Sequence, residues 1–356
     1  MSRDPTDKLH PPYTPRLHRG LRRVARPLLI ELQSAFEEFE EPISRLETAL
    51  AHLVLGEAIS EGVSPESHLA PGVPRIRPVL ILLATGAAGG EYGVHTDDAV
   101  FSAELLDKAI RVHDAALGRQ DGRRRRIARR LLGGAAHWLS GHSLSLRALE
   151  IARSSRPELM GEVLDTMREI TEGHHLGHEL RSRDATQEEW QDYAELHIGA
   201  VYSFCCRAGA RLAGAPREVA NGLGRYGRHM GVAWHALEDQ WVLSASPEEL
   251  PRILAHRAAS GRPLLPLIIG LEQDPSADGL FDRVLATGDL DAARSLQETL
   301  VAGGGLYATR KAVLEHSLAA RRALRALKPG PHRDALERLA ASLASSGARP
   351  WDTPES

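Results

Sequence analysis

The chain has 356 residues, 42% hydrophobic and 26% charged, with a formal net charge of -3. That length holds one large domain or two small ones, with enough apolar side chains for a sizeable core. The slightly acidic balance excludes a general electrostatic pull toward nucleic acid or an anionic membrane.

Residues 1–24, opening MSRDPTDKLHPPYTPRLHRG, have no apolar run of the secretory type and read as a loosely held tail. Helical spacing begins with Leu28, Leu32, Phe36 and Phe39, and Ile43, Leu46, Leu50, Leu53 and Leu55 roughly continue it. Similar stripes run through 97–118, 133–153, 158–180, 187–213, 217–243 and 289–326. Breakers separate them: Pro71-Gly72, Gly89-Gly90, Ser155 to Pro157, Gly214 to Pro216, Pro247, Gly261 and Pro263, Pro275, and Pro329 to Pro331. Ser246-Pro247-Glu248-Glu249 offers a helix start, with an N-cap, a proline at N1 and acidic first-turn residues. Strand-type alternation is hard to find. The pattern predicts roughly ten to twelve helices with short connections. It reads as one all-α domain over 25–346, followed by a C-terminal tail over 347–356. No apolar stretch reaches the roughly 18 residues a transmembrane helix needs. The two cysteines, Cys205 and Cys206, are adjacent in an apolar helical stretch. Neighbouring cysteines rarely bridge, so packing thiols in a reducing, cytoplasmic setting are expected.

Five segments, in register, resemble the trans-polyprenyl synthetase (isoprenyl diphosphate synthase) family. Gly72-Val73-Pro74-Arg75-Ile76-Arg77-Pro78 is similar to its Gly-Gly-Lys-Arg-x-Arg-Pro loop. Glu104-Leu105-Leu106, Val112-His113-Asp114 and Arg123-Arg124 resemble the helix of the first aspartate-rich motif and its downstream arginine pair. Gly141 to Ala152 resembles a helix that opens Gly-Asp, and Leu196-His197-Ile198-Gly199-Ala200 stands where the family has Lys-Thr-Gly-Ala. Tyr226-Gly227-Arg228 through Glu238-Asp239 resembles the helix ending in the second aspartate-rich motif, and Gly261 to Leu267 resembles the Lys-x-Thr-Leu-Pro-Leu stretch beyond it. The likeness spans about residues 25–345.

The resemblance implies an isoprenoid-synthase-like helical bundle around a central cavity, usually dimeric, with magnesium-dependent prenyl transfer. In that family two Asp-Asp-x-x-Asp motifs face each other, their carboxylates stacked one helical turn apart to hold magnesium on a diphosphate. This chain departs from the pattern. The first motif reads Asp114-Ala115-Ala116-Leu117-Gly118, and the second Glu238-Asp239-Gln240-Trp241-Val242. Pro74 replaces a lysine, His142 an aspartate, His197 and Ile198 a lysine and a threonine, and His235 a glutamine. Arg75, Arg77, Arg123 and Arg124 are kept and, with His197 and His235, form the implied substrate-binding set. Asp114, Glu238 and Asp239 are either a remnant magnesium site or plain polar residues of the cavity. No residue is singled out as catalytic.

Two further features stay open on the residues alone. The 17 histidines include His174 and His178 four apart, and His113, His142, His197 and His235 at cavity positions of the family. They are a transition-metal site or core and surface imidazoles. The arginines between Arg119 and Arg130 form a solvated basic loop, or a diphosphate, headgroup or nucleic-acid patch; with nothing aromatic interleaved, no nucleic-acid partner is expected. Three functions follow. The first is a catalytically impaired protein of isoprenoid metabolism, a non-catalytic subunit (homodimer, or heterodimer with an active prenyl synthase) or an isoprenyl diphosphate binder. The second is an active prenyltransferase with a rewired site. The third is a structural or cargo protein on an inherited fold.

Overall fold

The computed structural model describes residues 25–39, 43, 76–117, 134–180, 185–259 and 261–347. Every regular element among the described residues is helical. The expected continuation of the first stripe beyond Ile43 lies outside them. In chain order the helices are α1 (Arg26–Glu38), α2 (Ile76–Ala87), α3 (Val94–Leu117), α4 (Gly134–Ser154), α5 (Pro157–Glu179), α6 (Gln187–Ala194), α7 (Ala200–Leu212), α8 (Arg217–Leu243), α9 (Leu250–Ala259), α10 (Leu265–Gln273), α11 (Ser276–Thr287), α12 (Leu290–Ala302), α13 (Gly305–Ala323) and α14 (Pro331–Gly347). None is long and apolar enough to cross a membrane.

Local chemistry explains most boundaries. Pro157 occupies the first turn of α5, where a missing N–H costs nothing. Thr186 and Glu189 form a reciprocal capping box at the start of α6. Gly288, at φ 67°, ends α11 in the left-handed conformation, and Asp289 caps α12 through the amides of Asp291 and Ala292.

Three boundaries differ from the periodicity. The 289–326 stripe is two helices, because Gly303 ends α12 and Gly304 turns with φ 87° before α13. The 187–213 stripe is interrupted by a π-turn, Glu195–Gly199, between α6 and α7. Ser246 does open a turn, and the Leu250 amide donates to its carbonyl at 3.0 Å. Regular helix starts only at Leu250, because Pro251 has no N–H to give to Pro247.

The bundle is organised around α8, which packs along α7 on one side and α13 on the other. The α2 helix crosses α7, α3 lies along α4, and α14 closes over α1, α2 and α13. Small residues bring α7 and α8 together. A β-carbon on Gly231 would sit 2.8 Å from the Cα of Gly199, and one on Gly227 would strike the Tyr202 carbonyl. Leu80, Leu106, Phe204, Tyr226, Val232 and Leu336 are buried in the main apolar cluster. A second cluster joins α9 to α12 through Leu254, Leu267, Phe281, Leu296 and Leu300, and Trp241 packs against both. Cys205 and Cys206 are free, fully buried thiols in α7.

Candidate functional site

Helices α2, α3, α7 and α8 and the π-turn enclose a cavity of about 40 Å³. Arg77 enters from α2, Asp107 and Arg111 from α3, His197 and Ile198 from the π-turn, and Trp234 and Glu238 from α8; Arg262, just before α10, also lines it. Three of the sequence-derived candidates, Arg77, His197 and Glu238, therefore meet in one place. Arg75, Arg123 and Arg124 lie outside the described residues. Asp114 falls within α3, but its side chain is outside the described ones.

Charge pairing dominates the cavity wall. The Arg77 guanidinium meets Glu104 at 2.9 Å through Nε and at 3.2 Å through Nη2, and Asp107 at 3.0 Å through Nη1. Asp107 turns its other oxygen to Arg111 Nε at 2.8 Å. Burial alone would lower the Arg77 pKa, but Asp107 and Glu104 outweigh it and hold the guanidinium above its ordinary value. Burial alone would raise the Asp107 carboxyl, but Arg111 and Arg77 bring it down to about 2. Asp107 and Arg111 were not among the sequence-derived candidates. A signal existed: Glu104, Asp107 and Arg111 follow helical spacing, three charges on one stripe of a helix whose neighbouring positions are apolar.

Asp239 points away from the cavity into a nest of donors. One carboxylate oxygen accepts from Arg257 Nη1 at 2.8 Å, and the other accepts from Trp190 Nε1 at 2.8 Å and the Leu265 amide at 3.0 Å. Burial pushes this carboxyl above its usual value, against the pull of Arg257, the Leu265 amide and Trp190. All three neighbours offer only N–H groups, so the geometry suits the ionised carboxylate. Glu238 stays partly open to the cavity and accepts from Trp234 Nε1 at 3.0 Å.

His235 is fully buried and sits next to that nest, its ring 5.7 Å from Trp190 in a stacked arrangement. Burial, then Arg257, Arg262 and His197, hold it well below the ordinary imidazole value, so it is neutral at pH 7. Neither ring nitrogen has a hydrogen-bond partner among the described residues, and Glu238 lies 3.9 Å from Nδ1. His197, which lines the cavity, ends a run of ring contacts with three other histidines. His142 meets His113 at 5.4 Å, His113 meets His174 at 5.9 Å, and His174 meets His197 at 5.2 Å. Tyr193 links His197, at 5.0 Å, to His235, at 5.9 Å. Among the described residues no three histidine, cysteine or acidic side chains are arranged to hold a metal. The His178 side chain lies outside the described ones.

A bundle of antiparallel helices around a polar cavity, with its wall built by α2, α3 and α8, is the architecture of the isoprenoid synthases. Residues 64–300 match the polyprenyl synthetase family, and the chain belongs to that family. It is 26% identical over 323 residues to a geranylgeranyl diphosphate synthase of Methanosarcina mazei, covering 88% of this chain and 98% of the relative. It is 28% identical over 274 residues to the octaprenyl diphosphate synthase of Escherichia coli, covering 76% and 84%. A solved geranylgeranyl pyrophosphate synthase from Bacteroides thetaiotaomicron superposes with a TM-score of 0.71 at 20% identity, covering 89% of this chain and 99% of that one. The all-α, isoprenoid-synthase-like fold is thereby established.

Proposed function

We propose that this protein acts in isoprenoid metabolism without catalysing magnesium-dependent chain elongation by itself, as a non-catalytic subunit paired with an active prenyl synthase. The observation that carries the reading is the Arg77–Glu104–Asp107–Arg111 network. An arginine that would fork onto a diphosphate is already neutralised by two carboxylates. Asp107 is braced by a second arginine, so both guanidinium groups are engaged before any ligand arrives.

Size and metal chemistry support the same reading. The cavity of about 40 Å³ compares with roughly 30 Å³ for one water in the liquid, whereas sites for organic ligands run to about 300 Å³ or more. The described carboxylates do not fit a magnesium cradle: Asp239 has both oxygens engaged by protein donors, and Val242 stands one turn beyond Glu238. Leu139, Leu146 and Leu164 on α4 and α5 are 69%, 60% and 47% exposed, an apolar surface suited to a partner subunit. The free buried thiols fit a reducing, cytoplasmic setting.

The test is incubation of the pure protein with isopentenyl diphosphate and a series of allylic diphosphates, with and without magnesium. No condensation product is expected. A magnesium-dependent product abolished by Asp114→Ala would overturn the proposal in favour of an active prenyltransferase. Addition of this chain to an active prenyl synthase should change that enzyme's product length or rate.

A further inference from the structure

A second opening lies on the far side of α8. Arg225 and His229 of α8, Arg322 of α13 and Arg325 of the following 3-10 turn (Leu324–Ala326) border an open cleft of about 430 Å³. Its floor is made by Ala319, Ala323 and Ala326. His229 and Glu238 are nine residues apart on one helix. At about 3.6 residues per turn and 1.5 Å per residue, they point in opposite directions and sit about 13 Å apart along the axis. The cleft and the cavity are separate sites.

The cleft concentrates positive charge that the protein does not neutralise. Arg225, Arg322 and Arg325 are exposed, and among the described residues none of the three has a carboxylate partner. Their sequence neighbours do: Arg228 pairs with Glu169 at 2.6 Å and Arg321 with Glu337 at 2.9 Å. Carboxylates are thus paired with the arginines on either side of the cleft and not with these three, while Glu195 lies close enough to act on His229. Three guanidinium groups around one opening repel each other, a cost that an anion between them removes.

The histidines keep the charge count at three. His229 and His316 approach Nδ1 to Nδ1 at 3.1 Å, so one ring donates and the other accepts, which needs the accepting ring neutral. Burial holds both below the ordinary imidazole value. Around His229, Arg228, Arg322 and Arg225 add to that lowering, and Glu195 opposes it at both rings.

We propose that this cleft binds a diphosphate group. A diphosphate ester carries about three negative charges at neutral pH, by extension from the roughly two of a phosphomonoester, and so matches three arginines. Planar guanidinium forks suit its oxygens bidentately. The volume falls within the roughly 300–1,000 Å³ of small-molecule sites, which leaves room for an organic body over the alanine floor. The ligand class is a soluble organic diphosphate; a phospholipid headgroup presents the same chemistry from another source.

The test is calorimetric titration of inorganic pyrophosphate into the full chain at low ionic strength without metal. Saturable binding is expected. Arg322→Gln should weaken it by about tenfold or more, the value of a charge-assisted hydrogen bond. Arg225→Gln/Arg322→Gln/Arg325→Gln should abolish it, while Arg168→Gln, at an exposed arginine of α5 already paired with Asp165, should leave it within about twofold. The His229 ring proton resonance, followed by NMR, should move with pyrophosphate and titrate at higher pH in its presence. Equal pyrophosphate affinity for the wild type and the cleft triple variant would overturn the proposal. So would binding to phosphatidylglycerol vesicles without binding to pyrophosphate, which would make the site a membrane contact.

Discussion

Replacing Asp107 by asparagine probes the network on which the functional reading stands. The carboxylate sits 3.0 Å from Arg77 and 2.8 Å from Arg111, with its side chain 17% exposed. Its pKa falls from 3.8 to about 2 in the folded protein. At about 1.4 kcal/mol per pKa unit that is roughly 2 kcal/mol of stability. The sign follows from the depressed value: the stabilisation is complete well above 3.8 and disappears as the pH falls through about 2. At pH 3 about half of it remains. Asparagine keeps the shape and one carbonyl oxygen but not the charge. Asp107→Asn should therefore lose about 2 kcal/mol at pH 7 and only about 1 kcal/mol at pH 3, measured by urea unfolding under circular dichroism. Equal stability at pH 7, or a gap that stays constant down to pH 3, would refute the reasoning.

Asp239→Asn should cost more, about 3–5 kcal/mol in the same unfolding assay, because it removes a buried carboxylate on which Arg257, Trp190 and the Leu265 amide all converge. Trp190→Phe removes one donor to the other oxygen of the Asp239 carboxylate and should cost about 1–2 kcal/mol. Gly227→Ala places a methyl group against the Tyr202 carbonyl and should cost at least about 1–3 kcal/mol of stability, whereas Gly279→Ala, in α11 with open space at its β-carbon, should not destabilise. Cys205 and Cys206 are fully buried and burial pushes both thiols up, so Ellman's reagent should react with neither in the native protein and with both in urea. Rapid native labelling would show that α7 opens far more readily than its packing implies.

Much of the helical order was legible because one face of each element must be apolar at a period of 3.6, and because proline and glycine break it at fixed places. The long α8, with its close-packed glycines, follows from that logic. The exceptions have local causes invisible to a hydrophobic stripe. Gly304 turns the chain between α12 and α13 while both flanks keep the same period. Pro251 delays α9 despite a good cap at Ser246. The site was less legible than the fold. The family resemblance drew attention to positions where aspartates are missing, not to charges that had been added. Arg77 finds Glu104 across 27 residues and Asp239 finds Arg257 across 18, separations at which no helical spacing rule applies. Only the fold brings such partners together, and only the partners reveal that Arg77 and Asp239 are engaged within the protein.

The π-turn at Glu195–Gly199 has the form of a one-residue insertion absorbed without breaking a helix. The extra residue loosens the hydrogen-bond ladder, and Arg228 donates to the Glu195 carbonyl at 3.1 Å while its other nitrogen holds Glu169 of α5 at 2.6 Å. One side chain thus pins three segments. Deleting a residue here would restore ordinary α-helix and rotate everything before it by about 100° relative to α7. His197 would leave the cavity and Trp190 would swing away from Asp239. The length of this short stretch, independent of which residues fill it, is therefore a determinant of what the cavity contains.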